Sequence, residues 1–169
     1  MRNSSGRGPS WLSGSPRLGG IAAVKIAVAC DHRGFEAKVK VLAMLRSVKH
    51  EVEDMGCDGN SSAVDYPDIA IPLARKIAAG QIDVGILLDK SGVGMSVAAN
   101  KIRGVRAALA HDEVTARISR AHNHCNVLCM GCDLLTDDQM RKIVDIFLTT
   151  EFEGGRHQRR VEKLNEILG

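Results

Sequence analysis

The segment Val84-Gly85-Ile86-Leu87-Leu88-Asp89-Lys90-Ser91-Gly92-Val93-Gly94-Met95-Ser96-Val97-Ala98-Ala99-Asn100-Lys101 constrains this chain more than any other. Its apolar start, 84–88, predicts a strand buried on both faces, which is the mark of a parallel sheet. Ser91-Gly92-Val93-Gly94 turns the chain, and the small residues from Met95 onward predict the start of a helix. A strand, a glycine turn and a helix N-terminus bring unpaired backbone N–H groups together where the helix dipole favours negative charge. The pattern is not a dinucleotide fingerprint, because Val97 stands where the third glycine of Gly-x-Gly-x-x-Gly belongs. It is not a P-loop either, since no Gly-Lys-Ser/Thr follows. On the glycines alone, a ligand-free strand-to-helix turn is an equal alternative. Asp89 adds a carboxylate beside those amides, an arrangement suited to proton transfer next to a developing oxyanion.

The rest of the chain alternates in the same way. Strands are predicted over 25–30, 51–54, 105–110 and 126–130 in addition to 84–88. Helices are predicted over 35–49, from Asp65-Tyr66-Pro67 to Gly80, over 113–121, from the capping box Thr136-Asp137-Asp138-Gln139 to 149, and over 158–168. Alternating strands and helices joined by right-handed crossovers give an α/β fold: a five-stranded parallel sheet with helices on both faces and a C-terminal helix after it. Ligands of such sheets sit beyond the carboxyl ends of the strands. Asp31-His32, Asp89 and His111-Asp112 all fall at predicted carboxyl ends and converge on one cleft. His122-Asn123 lies at a helix-to-strand junction and reaches that cleft only if its loop folds back.

At 169 residues the chain suits a single domain, taken as 23–169, behind a flexible, Gly-, Ser-, Arg- and Pro-rich extension at 1–22. That extension lacks the apolar run of a signal peptide, and its glycines and prolines disfavour the amphipathic helix of a transit peptide. A net charge of +3 and an aromatic content of 3% argue against nucleic-acid binding, and no run is long enough to span a membrane. Five cysteines without an export signal point to reduced thiols in the cytoplasm. Cys129-x-x-Cys132, with His122 and His124 upstream, has metal-ligand spacing. However, Cys129 falls in a predicted buried strand and no second Cys-x-x-Cys exists, so idle buried thiols are the reading. The basic tail Glu153-Gly154-Gly155-Arg156-His157-Gln158-Arg159-Arg160 is either a solvated face or, with Arg156 and Arg160 on one side of a helix, a phosphate clamp. Asp31 is equally readable as a helix cap. Asp65-Tyr66-Pro67 reads as a cap and turn, with Tyr66 near the pocket.

Together these motifs resemble the ribose-5-phosphate isomerase B family, which includes the galactose-6-phosphate isomerase subunits. The resemblance rests on Cys30-Asp31-His32-x-Gly34-Phe35, Asp65-Tyr66-Pro67, Ser91-Gly92-Val93-Gly94-Met95-Ser96-x-Ala98-Ala99-Asn100-Lys101, Arg120-x-His122-Asn123 and Glu151-x-Glu153-Gly154-Gly155-Arg156-His157-Gln158-x-Arg160-Val161. It implies a Rossmann-like α/β/α sandwich and aldose–ketose isomerisation of a pentose or hexose phosphate through a cis-enediolate, with no metal and no cofactor. It also implies a homodimer or dimer of dimers whose sites are shared between subunits. Carried over by residue, Asp31 and His32 bind the sugar or assist at its ring, and Ser91 contacts substrate. Amides from Gly92 through Val93, Gly94 and Met95 to Ser96 resemble the anion hole. His122 resembles the ring-opening acid, and Asn123 contacts hydroxyls. Arg156 and Arg160, with His157 between them, resemble the phosphate grip of a partner's site.

Two departures stand out. Asp89-Lys90 occupies the place where the family commonly has Cys-Gly, its cysteine being the proton-transferring base, and Met95 stands where another branch has a basic Glu. Asp133 takes the place of a phosphate-contacting Arg. The expectation is therefore an isomerase with Asp89 as the base. The alternative is a sugar-phosphate-binding homologue with altered or lost catalysis.

Overall fold

The computed structural model describes residues 24–48, 50–59 and 62–166. The proposed extension 1–22, and the end of the helix expected over 158–168, lie outside the described residues. Among the described residues eleven elements follow one another: β1 Lys25–Cys30, α1 Phe35–Ser47, β2 Glu51–Gly56, α2 Tyr66–Ala78, β3 Val84–Asp89, α3 Val93–Ala99, β4 Ala107–Leu109, α4 Glu113–Ala121, β5 Val127–Gly131, α5 Asp137–Thr149 and α6 Arg156–Glu166. All strand pairs are parallel, in the order β2-β1-β3-β5-β4. This is the α/β sandwich expected from the alternation. Every carboxyl end therefore lies along one edge of the sheet and every amino end along the other.

The central strand β3 is buried along its whole length. Its alternation divides the core. Val84, Ile86 and Leu88 pack with α1 and α5 residues such as Leu45, Ile143 and Phe147 on one face. Leu87 points to the opposite face, among Leu73, Ile77 and Met95 of α2 and α3. Strand parity sends Asp89 to that second face, toward the start of α3.

Helix ends follow local chemistry. Thr136 with Gln139, and Asp112 with Thr115, form reciprocal capping boxes at α5 and α4. Asp65 occupies the N-cap position of α2, but its side chain makes no capping bond. Several boundaries differ from expectation. The Gly92 left-handed turn (φ 78°) starts α3 at Val93, two residues early. Strand β2 runs on to Gly56, because β1 offers it pairing partners as far as Cys30. Strand β4 shrinks to three residues, because Val105 bonds back to Ile102 in a turn and only Ala107 to Leu109 pair with β5. Helix α6 begins at Arg156.

Candidate active site

At the carboxyl edge, β3 ends on Asp89, which is buried beside Gly131 of β5. Its Oδ1 accepts the backbone N–H of Ser91 at 3.0 Å and that of Gly92 in a shorter contact. Oδ2 takes no hydrogen bond, and Asp89 forms no ion pair with Lys90, among the described residues. The carboxylate thus shapes the turn that it stands in. Beyond it, the Val93 N–H reaches Ser91 Oγ at 3.3 Å, whereas the Gly94 and Met95 amides find no acceptor among the described residues. Two donors are left for a developing anion.

Close backbone approach holds this loop. A Cβ on Gly131 would lie 2.7 Å from the Ser91 carbonyl carbon and oxygen, so only glycine lets the loop pack on β5. The Tyr66 ring lies against Gly94, 3.1 Å from where a Cβ there would stand, and so covers the start of α3. Met95 itself is fully buried, and only its amide can serve a ligand.

Asp31 follows β1 at the same edge. Its Oδ1 accepts the Arg33 and Gly34 amides at 2.8 and 3.2 Å, so Asp31 braces the turn before α1. It is not the helix cap expected as an alternative, because Gly34 is the N-cap residue and no side chain caps α1. His32 is exposed, and its Nδ1 accepts the Val64 N–H at 3.3 Å. A neutral His32 therefore carries its proton on Nε2. A cleft of about 540 Å³ opens here, with His32 and Cys132 in its wall. Its cations are already matched: Arg33 with Asp133 at 3.3 Å, and Lys40 with Asp137 at 2.7 Å. Asp133 is thus neutralised by a side chain 100 residues away in sequence. Burial pushes the Cys30 thiol up to about 12 against the pull of Lys38. Burial, reinforced by Asp89 and Asp31, does the same to Cys132. Neither thiol supplies a thiolate at neutral pH.

His122 and Asn123 stand at the opposite edge. They precede β5, and their loop does not fold back: Arg106, at the amino end of β4, grips the Asn123 and His124 carbonyls through Nε at 3.2 and 3.0 Å. Buried Arg120 donates to the Cys125 carbonyl. Two buried guanidiniums thus bind three consecutive carbonyls and set His122 in place, a role the sequence did not suggest. His124, with φ 50°, stacks on Phe152 at 4.5 Å. Burial, then Arg106 and Arg120, lower its pKa to about 4.

The basic tail arrives at this same edge through the Glu153 N–H bond to Ala121 O. The His157 ring lies under that of His122, with centroids 4.2 Å apart and planes 4° from parallel. Arg156 and Arg160 are exposed and take no carboxylate partner among the described residues. The sheet therefore separates the expected site residues into two groups. Asp31, His32, Tyr66, Asp89 and Ser91 to Ser96 lie at one edge, while His122, Asn123, Arg156, His157 and Arg160 lie at the other. A five-residue parallel strand puts roughly 16 Å between these edges.

The sequence pattern of the Ribose/Galactose Isomerase family matches residues 26–164. The chain belongs to this family. Ribose-5-phosphate isomerase B of Escherichia coli is 43% identical over 143 residues, covering 85% of this chain and 95% of that one. Among solved structures, the ribose 5-phosphate isomerase of Thermotoga maritima superposes with a TM-score of 0.83 at 45% identity, over 86% of this chain and all of that one. The Mycoplasma genitalium ribose-5-phosphate isomerase B, solved with bound ribulose-5-phosphate, gives 0.79 at 42% identity, over 83% and 93% of the two chains. As a ribose/galactose isomerase the chain is an aldose–ketose isomerase acting on sugar phosphates, and the alternative of a bare binding protein is not favoured. No helix among the described residues is long and apolar enough to cross a membrane.

Proposed function

We propose that this isomerase interconverts ribose 5-phosphate and ribulose 5-phosphate, with Asp89 as the base that carries the proton between C1 and C2. The observation that carries this reading is the place of Asp89. It ends the central strand where the family's usual base stands, beside the two uncommitted amides of Gly94 and Met95. As Asp89 takes the C2 proton, those amides stabilise the enediolate oxygen, each contributing roughly 3 kcal/mol in the transition state. Once the hydroxyl proton has passed from O2 to O1, returning the carbon-bound proton to C1 completes the ketose. The two neighbouring thiols stay protonated and cannot substitute for it. Ser91, His32, Asp31 and Tyr66 surround the sugar, and no metal or cofactor takes part in these steps.

Two copies of the chain complete one site. His122, Asn123, Arg156 and Arg160 lie at the far edge of their own sheet, so the ring-opening acid and the phosphate grip reach Asp89 only from a partner. The cleft's own cations are already committed to carboxylates, which leaves the phosphate to Arg156 and Arg160. We place this homodimer, or a dimer of dimers, in the cytoplasm, where its free cysteines stay reduced.

The test is turnover of ribose 5-phosphate in deuterated water, followed by subunit mixing. Asp89→Asn and His122→Asn should each be inactive alone. After subunit exchange at equal amounts, half the dimers are mixed and each holds one intact site, so about a quarter of wild-type activity returns. Inactive wild-type protein refutes the reaction, and failure of the mixture to recover refutes the shared site.

A further inference from the structure

We infer that Glu153 is a positioning residue for His122: its carboxylate holds the imidazole Nε2, leaving Nδ1 as the atom that protonates the sugar ring oxygen. The inference rests on the reading of His122 as the ring-opening acid. Glu153 Oε2 lies 3.5 Å from His122 Nε2 and 3.8 Å from His157 Nε2. Arg156 decides between the two rings. Its Nε donates to His157 Nε2 at 3.4 Å, so that nitrogen is an acceptor and has no proton to offer Glu153. Burial keeps His157 below the usual histidine range, with His122, Arg156 and Arg160 pushing the same way against a smaller pull from Glu153. His157 is thus the neutral plate against which the His122 ring stacks, and the carboxylate belongs to His122.

The same three side chains form a His–Glu–His donor set of the kind that binds zinc. Near-parallel rings 4.2 Å apart aim their Nε2 lone pairs side by side, not at a common point. Arg156 and Arg160 add positive charge against a cation. A carboxylate–imidazole dyad fits the geometry better.

The consequence falls on one step alone. In ring opening, His122 Nδ1 gives its proton to the furanose oxygen as the C1–O bond breaks. The anomeric hydroxyl loses its proton to water as the aldehyde forms. With the ring protonated, pairing Nε2–H with a carboxylate fixes its plane and turns Nδ1–H toward the sugar. Proton transfer between C1 and C2 needs none of this. Ribulose 5-phosphate is already open-chain, because the hydroxyl that would close a furanose carries the phosphate.

Two readouts therefore separate. Glu153→Gln should lower ribose 5-phosphate turnover about 10- to 100-fold, a share of the 10²–10⁴-fold worth of a positioned acid. Solvent deuterium exchange into C1 of ribulose 5-phosphate should stay within about twofold of wild type. Glu153→Asp should recover part of the lost turnover, and His122→Asn should show the same split more strongly. Turnover unchanged in Glu153→Gln, or both readouts falling together, overturns the dyad. His122→Asn turning over normally shows instead that the reading of the acid is wrong, and the dyad falls with it.

Discussion

Replacing Asp89 tests the proposed proton transfer separately from the loop hydrogen bonds that the same carboxylate makes. Oδ1 accepts the Ser91 and Gly92 amides, while Oδ2 takes no hydrogen bond among the described residues. In Asp89→Asn the amide oxygen can keep both N–H bonds. Exchanging a charged acceptor for a neutral one costs about 1 kcal/mol per bond, partly offset because a buried charge is removed. A net loss of about 1 kcal/mol lowers Tm by roughly 2–4 °C in a domain of this size. In Asp89→Ala both donors lose their acceptor, and the buried Gly92 amide alone costs about 1–3 kcal/mol. Turnover, in contrast, depends on the base and should fall on the order of 10²–10⁴-fold in both variants. Calorimetry gives the stability of each variant, and the appearance of ketose from ribose 5-phosphate gives its rate. An Asn variant working within about threefold of wild type, beside an inactive Ala variant, would show that Asp89 only braces the loop.

Gly131→Ala should drive its Cβ into the Ser91 backbone, 2.7 Å away, and displace the loop. A shift of about 1 Å at a reacting group costs on the order of 10²-fold in kcat/KM, checked by steady-state kinetics. Lys38→Met should remove a buried ammonium that ties α1 to Asp54 Oδ1 and the Cys57 carbonyl, both at 2.6 Å. The expected loss is about 2–3 kcal/mol, measured by urea unfolding, and an unchanged midpoint would refute it. His124 titrates near its ordinary 6.5 when unfolded but at about 4 when folded. The unfolded chain therefore binds more protons between those values, and stability falls as pH drops from 6.5 to 4. Allowing for solvent screening of a half-buried ring, the loss is about 1–2 kcal/mol, and His124→Asn should flatten that slope in unfolding curves.

Much of the fold was legible because the local signals agreed. The apolar run of β1 and the Thr136–Gln139 box of α5 each fixed an element without tertiary help. Boundaries slipped where pairing partners decided them: β2 gained residues from β1, and β4 lost them to a turn. In the site, strand ends placed Asp31 and Asp89 correctly, since position after a parallel strand is a property of the chain itself. Their hydrogen bonds were not foreseen: Asp31 was expected as a helix cap and instead bonds the turn before the helix, and the Asp89 bonds to Ser91 and Gly92 were not anticipated. Contacts between distant segments stayed invisible. Nothing near Asp133 announces Arg33, and nothing around Arg106 and Arg120 announces that they hold the carbonyls after His122. Glu153 was visible only as part of a motif, because its contact with His122 depends on how the tail crosses the end of α4.

On the proposed two-copy site, the distance between the two edges of the sheet also governs how the rate responds to dilution. When base and acid come from different copies, a lone chain carries halves of two sites and a whole one of neither. Below the dissociation constant of the pair, halving the protein cuts the rate about fourfold. Assayed at trace levels, intact chains would look defective, and adding an excess of a base-less variant would revive them.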